Sequence, residues 1–516
     1  MIEIHPILRK ILHRRNIISE NDIKKFLFPT IDDLIDPCII EMIEEASDTI
    51  LKAIKNRDRI FIYGDGDVDG IGGVFFLIKF LQNKNVNFNY YLTHRLEDYE
   101  IEENLVDYFL KEKYKLLIFV DCGISSYRFL KKCAENGLKV IVIDHHQTEL
   151  KYLPEDHIYI HPFFTLKEID FSATGLSFKL FQSLSSNYFS SFSDYIVIAG
   201  LSVLSENLNL MDDNRIFVKE MIKDLKNSTI KGLNLIVSRY LNSSKIEVED
   251  INKLINPKLN SPGRFGKPEI SLNLLLEEKE NELENLLREI ESLDKKRYQI
   301  TQDIMKNVEK FQNFDERFII VENLSPSFCG IIASRLVEKY NLPFLVMSKK
   351  GNIIKGSGRS PENFNLYENL KKIKDKFISF GGHKNAVGFK FHSEKEKEIK
   401  EYWINLKVEK REKECYFDIA YEIENIKPEI LENLELLKPF GKGNPPPVFL
   451  SKNVFIKKIK KGNEYRYWAK KNDVIFECKV PDPKEIKEGT YDILYTPEIQ
   501  KKDGYYRIIL EIKNFK

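Results

Sequence analysis

Ile60-Phe-Ile-Tyr-Gly-Asp65-Gly-Asp67-Val-Asp69-Gly70 decides the fold. It opens on a short run of β-branched and aromatic residues, the composition of a buried strand, and breaks abruptly into aspartate and glycine. The pattern recurs twice. Leu116-Leu-Ile-Phe-Val120 runs into Asp121-Cys-Gly123, and Val140-Ile-Val-Ile143 runs into Asp144-His145-His146. Helical stretches lie between these runs, so the alternation predicts a parallel α/β sheet. Ligands in such sheets sit beyond the carboxyl ends of the strands, where all three packets should meet.

Carboxylates gathered within a few ångströms repel one another unless a cation neutralises them. Carboxylates with one or two imidazoles and no thiolate suit Mn²⁺ or Mg²⁺. Two ions about 3.5–4 Å apart are the usual clamp for phosphoester hydrolysis, and a central aspartate can bridge them. A single Asp-Gly packet could equally be a turn. Three at successive strand ends point instead to a two-ion site.

Asp-x-Asp-x-Asp-Gly, Asp-x-Gly and Asp-His-His, in this order, resemble the DHH phosphoesterases. Further segments are similar to the RecJ branch, the single-strand-specific 5′→3′ exonucleases: Phe171-Ser-Ala-Thr-Gly175, Asn260-Ser-Pro-Gly263-Arg264, Gly356-Ser357-Gly358-Arg359-Ser360, Phe380-Gly-Gly-His383 and Pro439-Phe-Gly441-Lys-Gly443-Asn444-Pro445. The resemblance implies a metal-dependent exonuclease of DNA repair and recombination that releases mononucleotides from single-stranded DNA. Two ions, Mn²⁺ or Mg²⁺, are then expected on Asp65, Asp67, Asp69, Asp121 and His145. Asp121 would bridge them, His146 would orient the site or contact the scissile phosphate, and Asp144 would fix the histidines from behind. Arg95, Arg264, Ser357, Arg359 and His383 would hold phosphates. A helicase and a single-strand-binding protein are the partners such an enzyme implies.

Three departures from the family pattern stand out. Glu206 occupies the position of an aspartate ligand and is expected to ligate metal, with one extra methylene. Asp98-Tyr-Glu-Ile101 replaces a Gly-Tyr-Gly loop, and Ser325 replaces a histidine. Two other functions fit the same motifs: a phosphodiesterase for short oligonucleotides or cyclic dinucleotides, and a catalytically weak DNA-binding scaffold.

The expected organisation is a helical extension over 1–50, the catalytic domain over 51–225 and a helical segment over 226–268. A connecting helix over 269–311 follows, with apolar residues three or four apart from Leu272 to Phe311. It should span ~60 Å at 1.5 Å per residue and join a smaller α/β DHHA1 domain over 314–395. The last part, 412–516, contains five strand-like runs that suggest a small barrel, which the resemblance makes an OB-fold. Aromatic residues alternate there with Lys and Arg, including Tyr465, Tyr467 and Trp468, a composition suited to stacking bases and attracting phosphates. The competing reading has half of these rings filling the barrel.

The 516 residues carry 80 Lys+Arg against 79 Asp+Glu, which excludes a uniformly basic sleeve and leaves room for a local basic groove. Six scattered cysteines without a Cys-x-x-Cys pair favour a reducing compartment. No basic head precedes an apolar stretch at Met1-Ile-Glu-Ile-His-Pro, and no apolar run of membrane-spanning length occurs. A cytoplasmic location without membrane contact is therefore expected.

Overall fold

The computed structural model describes residues 4–515 apart from 85, 95–100, 148–151, 165–168, 186–191, 242, 244, 309–316, 409–415, 462–463, 481–485 and 503–504. It divides into two compact units. One comprises Ile35–Leu208 and Phe217–Lys410; the other comprises Met1–Leu34, Asn209–Ile216 and Arg411–Lys516. Among the described residues no helix is long and apolar enough to cross a membrane.

The larger unit begins with the sheet that the acidic packets predicted. Strands β1 (Arg59–Gly64), β2 (Phe88–Leu92), β3 (Tyr114–Val120), β4 (Lys139–Ile143) and β5 (Ile158–Ile160) lie in the order β2-β1-β3-β4-β5. Every neighbouring pair is parallel. Residues 60–64, 116–120 and 140–143 are buried throughout, because helices cover both faces. Val68–Gln82, Ala173–Ser185 and Ile196–Ser205 pack together, nearly all buried. A second apolar cluster joins Phe61, Phe109, Phe119 and Phe129. Parallel strands end at one edge, so Asp65, Asp121 and Asp144 necessarily emerge side by side.

The connecting segment differs from the single helix expected over 269–311. It is two helices, Glu269–Leu276 and Glu280–Val308. Glu277 is extended between them, and its carboxylate accepts the N–H groups of Glu278 and Lys279 at 2.8 Å each. A side chain that satisfies those donors competes with continuation of the helix. The Pro262-Gly263-Arg264 segment is the last turn of the helix Asn256–Arg264.

A second sheet follows: β6 (Phe318–Glu322), β7 (Phe344–Lys350), β8 (Ile353–Arg359), β9 (Ser379–His383) and β10 (Ala386–His392), in the order β6-β7-β8-β10-β9. Its core extends past the expected boundary at 395. Trp403, on the helix Glu396–Ile404, is fully buried among Phe318, Leu345 and Phe391 and donates its indole N–H to Arg317 O at 3.1 Å.

The smaller unit contains β11 (Ile419–Ala420), β12 (Phe449–Lys461), β13 (Glu464–Lys471), β14 (Val474–Lys479), β15 (Gly489–Lys502) and β16 (Tyr505–Phe515). The order β11-β12-β13-β14-β16-β15, with β15 pairing back onto β12, closes a five-stranded barrel. All five expected runs fall within these strands. The first residues are not a free extension. Ile7, Leu8, Ile11 and Leu12, one stripe of the helix Pro6–Arg14, share a core with Val454, Ile456 and Tyr495 of the barrel. Tyr467, expected at a nucleic-acid surface, is a correction. It is 2% exposed in that core, because Tyr467 and Ala469 share the inward parity of β13 while Arg466 and Lys470 point out. Trp468, on the outward parity, is half-buried, with the Arg507 guanidinium 5.9 Å from its ring centre.

Candidate metal centre

Asp67 ends the turn after β1 and caps the helix Val68–Gln82, accepting the N–H groups of Asp69 at 3.0 Å and Gly70 at 3.2 Å. Asp65 accepts the Gly66 N–H at 2.8 Å and the Thr93 hydroxyl at 2.7 Å. Asp69 is completely buried. Its carboxylate sits on the first turn of the helix Ala173–Ser185, accepting Ala173 N–H at 2.9 Å and Thr174 N–H at 2.7 Å, with the Ser202 hydroxyl at 2.6 Å. Helix-end donors stabilise this buried charge.

Asp121 follows β3 in a left-handed conformation, φ 59°, and is 4% exposed. Such strain in a non-glycine residue concentrates at functional sites. Its Oδ1 lies 3.3 Å from His145 Nε2, which in turn lies 3.4 Å from Asp69 Oδ2. Burial, then the charges of Asp69, Asp67, Asp65 and Glu206, push the Asp121 carboxyl well above its usual range. Burial pushes the His145 imidazole down.

Asp144 does the holding. Its carboxylate accepts the N–H groups of Ile124 at 3.2 Å, His145 at 2.7 Å and His146 at 3.1 Å, and binds His146 Nδ1 at 2.7 Å. Burial opposes its charge, yet the charge and hydrogen bonds of His146 keep it far below the usual carboxylate range. Burial likewise disfavours protonated His146, but Asp144 outweighs it and raises that imidazole to about 9.

Among the described residues four overlapping donor groups result: His145, His146 and His383; Asp121, Asp144 and His146; and two sets that share only Asp121. Asp65, Asp67 and Asp121 form one; Asp69, Asp121 and His145 form the other, and within each set the ligand atoms lie within 4.8 Å of one another. Asp121 belongs to both. The fit to divalent cations rests on two atoms. Asp121 Oδ1 and His145 Nε2 are buried without a hydrogen-bond partner and face each other, which is costly unless positive charge lies between them. The oxygen-rich set suits hard cations, and one imidazole in the second set suits a borderline one. Glu206 caps the helix Ile196–Ser205, and its charge raises both Asp121 and His146.

The second sheet contributes the opposite wall. His383, at the end of β9, has its ring centroid 4.7 Å from that of His146 and 4.9 Å from that of His145. Burial, then His146 and His145, push it down to about 2. Ala386 pairs with both His383 and Arg359, which sets those two residues level across three strands. Arg359 and Ser357 lie against the first turn of the helix Cys329–Tyr340. A Cβ on Gly330 would sit 3.1 Å from Arg359 Nη2 and 3.6 Å from Ser357 Oγ, so the glycine makes room for the guanidinium. Arg264 reaches the 3₁₀ turn Pro326–Phe328 just before that helix, donating to Ser327 O at 2.6 Å.

Asp65, Asp67, Asp69, Asp121, Asp144, His145, His146 and His383 therefore converge, with Glu206 in electrostatic range. Arg95 lies outside the described residues. Tyr467 and Trp468 belong to the other unit. Sequence reasoning missed Thr93, Ser202 and His161, whose Nε2 binds His146 O at 2.9 Å. Nothing in their local sequence marks them, because each reaches its partner through the fold.

Comparison with known proteins accords with this geometry. Residues 59–201 match the DHH family N-terminal domain, 316–406 the DHHA1 domain and 417–514 the RecJ OB domain. The single-stranded-DNA-specific exonuclease RecJ of Bacillus subtilis is 28% identical over 480 residues, 89% of this chain and 60% of the relative. The Thermus thermophilus protein of the same name is 29% identical over 420 residues, 79% of this chain and 61% of the relative. The chain thus spans about three-fifths of the length of these two relatives. The crystal structure of RecJ in complex with Mn²⁺ from Thermus thermophilus superposes with a TM-score of 0.85 at 22% identity, covering 99% of this chain and 76% of that one. A structure of exonuclease RecJ bound to manganese gives 0.61 at 25% identity, covering 71% of this chain and 96% of that one.

Proposed function

Because this chain joins a DHH domain to a DHHA1 domain and a RecJ OB domain, we propose that it is a 5′→3′ exonuclease of RecJ type, releasing mononucleotides from single-stranded DNA in repair and recombination. The observation that carries this reading is Asp121 Oδ1 facing His145 Nε2 in a buried carboxylate cluster, both without hydrogen bonds. The oxygen and nitrogen donors, and relatives crystallised with Mn²⁺ and with Mg²⁺, support two such ions here. Bound cations would supply charge neutralisation and Lewis acidity toward a water and a phosphoryl oxygen.

The chain's own residues divide the remaining work. Asp65 and Asp67 would hold one ion, Asp69, His145 and Glu206 the other, and Asp121 would serve both. Asp144 fixes the backbone of the two histidines and keeps the proton on His146 Nδ1, so His146 meets the scissile phosphate as a cation. Arg264, Ser357, Arg359 and His383 hold the terminal and adjacent phosphates, the guanidiniums through paired donors. Arg95 is proposed for the same role from its motif alone. The barrel is proposed to bind single strands through its exposed aromatic and basic residues.

Such an enzyme consumes single strands, so a helicase that opens duplex DNA and a single-strand-binding protein are its proposed partners. Five free cysteines among the described residues fit a cytoplasmic location. Asp121→Ala tests the proposal. Mn²⁺-dependent release of nucleotides by the purified chain should fall by at least ~10³-fold, of the order lost when essential electrostatic groups are removed. Undiminished hydrolysis by the variant would place the chemistry elsewhere.

A further inference from the structure

The helix Val68–Gln82 carries Asp69 and is capped by Asp67, and its first, buried N–H groups need partners. Asp67 Oδ1 takes those of Asp69 and Gly70 at 3.0 and 3.2 Å, and Asp67 O takes that of Ile71 at 2.8 Å. Val68 N–H goes elsewhere, to Asn260 Oδ1 at 3.0 Å, 192 residues away. The other end of the same amide donates from Nδ2 to Ser205 Oγ at 3.2 Å. Ser205 is the last residue of its helix and Glu206 is the cap.

An amide serves both ends without adding charge. The Val68 N–H takes the oxygen, which leaves the nitrogen donors for the hydroxyl. Aspartate could accept from both groups, but only by placing another negative charge beside Asp67 and Asp69, and an apolar side chain serves neither. Asn260 is itself held closely. A Cβ on Gly263 would lie 2.2 Å from Gly66 O, so glycine lets its helix rest on the acidic turn. The next residue, Ser261, is pinned to Pro257 O at 2.7 Å and Asp294 at 2.9 Å.

The geometry points to Asn260 as a positioning residue: its amide sets the separation between the Asp67–Asp69 turn and the Glu206 helix end, and so the affinity of the cation that Glu206 serves. This rests on the two-ion reading above. The charge of Glu206, felt by both Asp121 and His146, is consistent with that placement.

The test is Mn²⁺ binding to the chelator-stripped full chain, by calorimetry and electron paramagnetic resonance, beside thermal melting. Wild type should take two ions with a spin-coupled signal. Asn260→Ala should weaken one of the two by about tenfold or more, as loss of groups that orient metal ligands does. Ser205→Ala should weaken the same ion, and Ser205→Thr, which keeps the hydroxyl, should bind as wild type. If Asn260→Ala fails to fold, the contrast between Ser205→Ala and Ser205→Thr decides. Two ions bound with unchanged affinity in both alanine variants would overturn the positioning role and leave the metal centre standing. A wild-type chain that binds no Mn²⁺ would overturn both.

Discussion

The imidazole of His383 stacks on that of His146, with ring centroids 4.7 Å apart and planes 21° from parallel. One ring follows β4 of the first sheet; the other ends β9 of the second. The contact makes the wall of the candidate metal centre a joint product of both sheets, and it pairs a histidine raised by Asp144 with one lowered by burial.

His383→Ala should lower kcat by about 10²-fold, the lower end of what a positioned side chain contributes. Mn²⁺ stoichiometry should stay at two: His383 shares a donor group with His145 and His146, but the carboxylate sets around Asp121 are complete without it. Calorimetric titration of the variant checks this. Loss of one ion would assign His383 to the metal rather than to the phosphate.

Stability should depend on cations through Asp121. Its carboxyl is raised by burial and neighbouring carboxylates, so the native metal-free state holds that proton more tightly than the unfolded chain does. The stability this gives is present in acid and is lost as pH rises past the ordinary value of 3.8 toward the raised native one. In chelator, Asp121→Asn should therefore lose less melting temperature than wild type between about pH 5 and pH 8. Mn²⁺ at about 100 times Kd should restore about 2.7 kcal/mol to wild type. Equal pH slopes for the two proteins would contradict the account.

Arg215 tests the smaller unit. The side chain is 2% exposed and has the Phe26 ring 3.8 Å from its guanidinium. It donates to Phe26 O at 2.7 Å, Leu437 O at 3.0 Å and Lys438 O at 2.8 Å. Arg215→Met strands these buried carbonyls and should cost about 3 kcal/mol or more. Chemical denaturation followed by the fluorescence of Trp468 reads the loss, while Mn²⁺ binding by the other unit should be unaffected.

The barrel surface should bind strands through residues other than Tyr467. Phe455 and Tyr465 are 38% and 49% exposed, and Lys457 and Lys460 lie beside them on β12. Phe455→Ala and Tyr465→Ala should each weaken single-strand binding by about 1–3 kcal/mol without lowering the melting temperature. Tyr467→Ala should do the reverse, costing stability first. Fluorescence anisotropy with a labelled oligonucleotide separates the two outcomes.

Much of this was legible in the chain because it is local. Short apolar runs ending in aspartate read directly as parallel strands, and parallel strands carry their ends to one edge. The remainder depends on contacts far apart in sequence. Ser202 and Ala173 reach Asp69 across more than a hundred residues, and only the fold brings His383 to His146. The inward position of Tyr467 is not legible in composition, because residues one apart in a strand face opposite ways and composition does not reveal the parity. The break at Glu277 was hidden by an apolar spacing that continues through it, since a single side chain capping two N–H groups leaves no trace in periodicity.

The most direct measurement is nucleotide release by the full chain from single-stranded DNA labelled at either end, with Mn²⁺, with Mg²⁺ and with chelator. Mononucleotides should appear first from the 5′ end, require a divalent cation and vanish in Asp121→Ala. Tight binding of the strand without hydrolysis under either cation, or cleavage confined to dinucleotide-sized substrates, would contradict the proposed function.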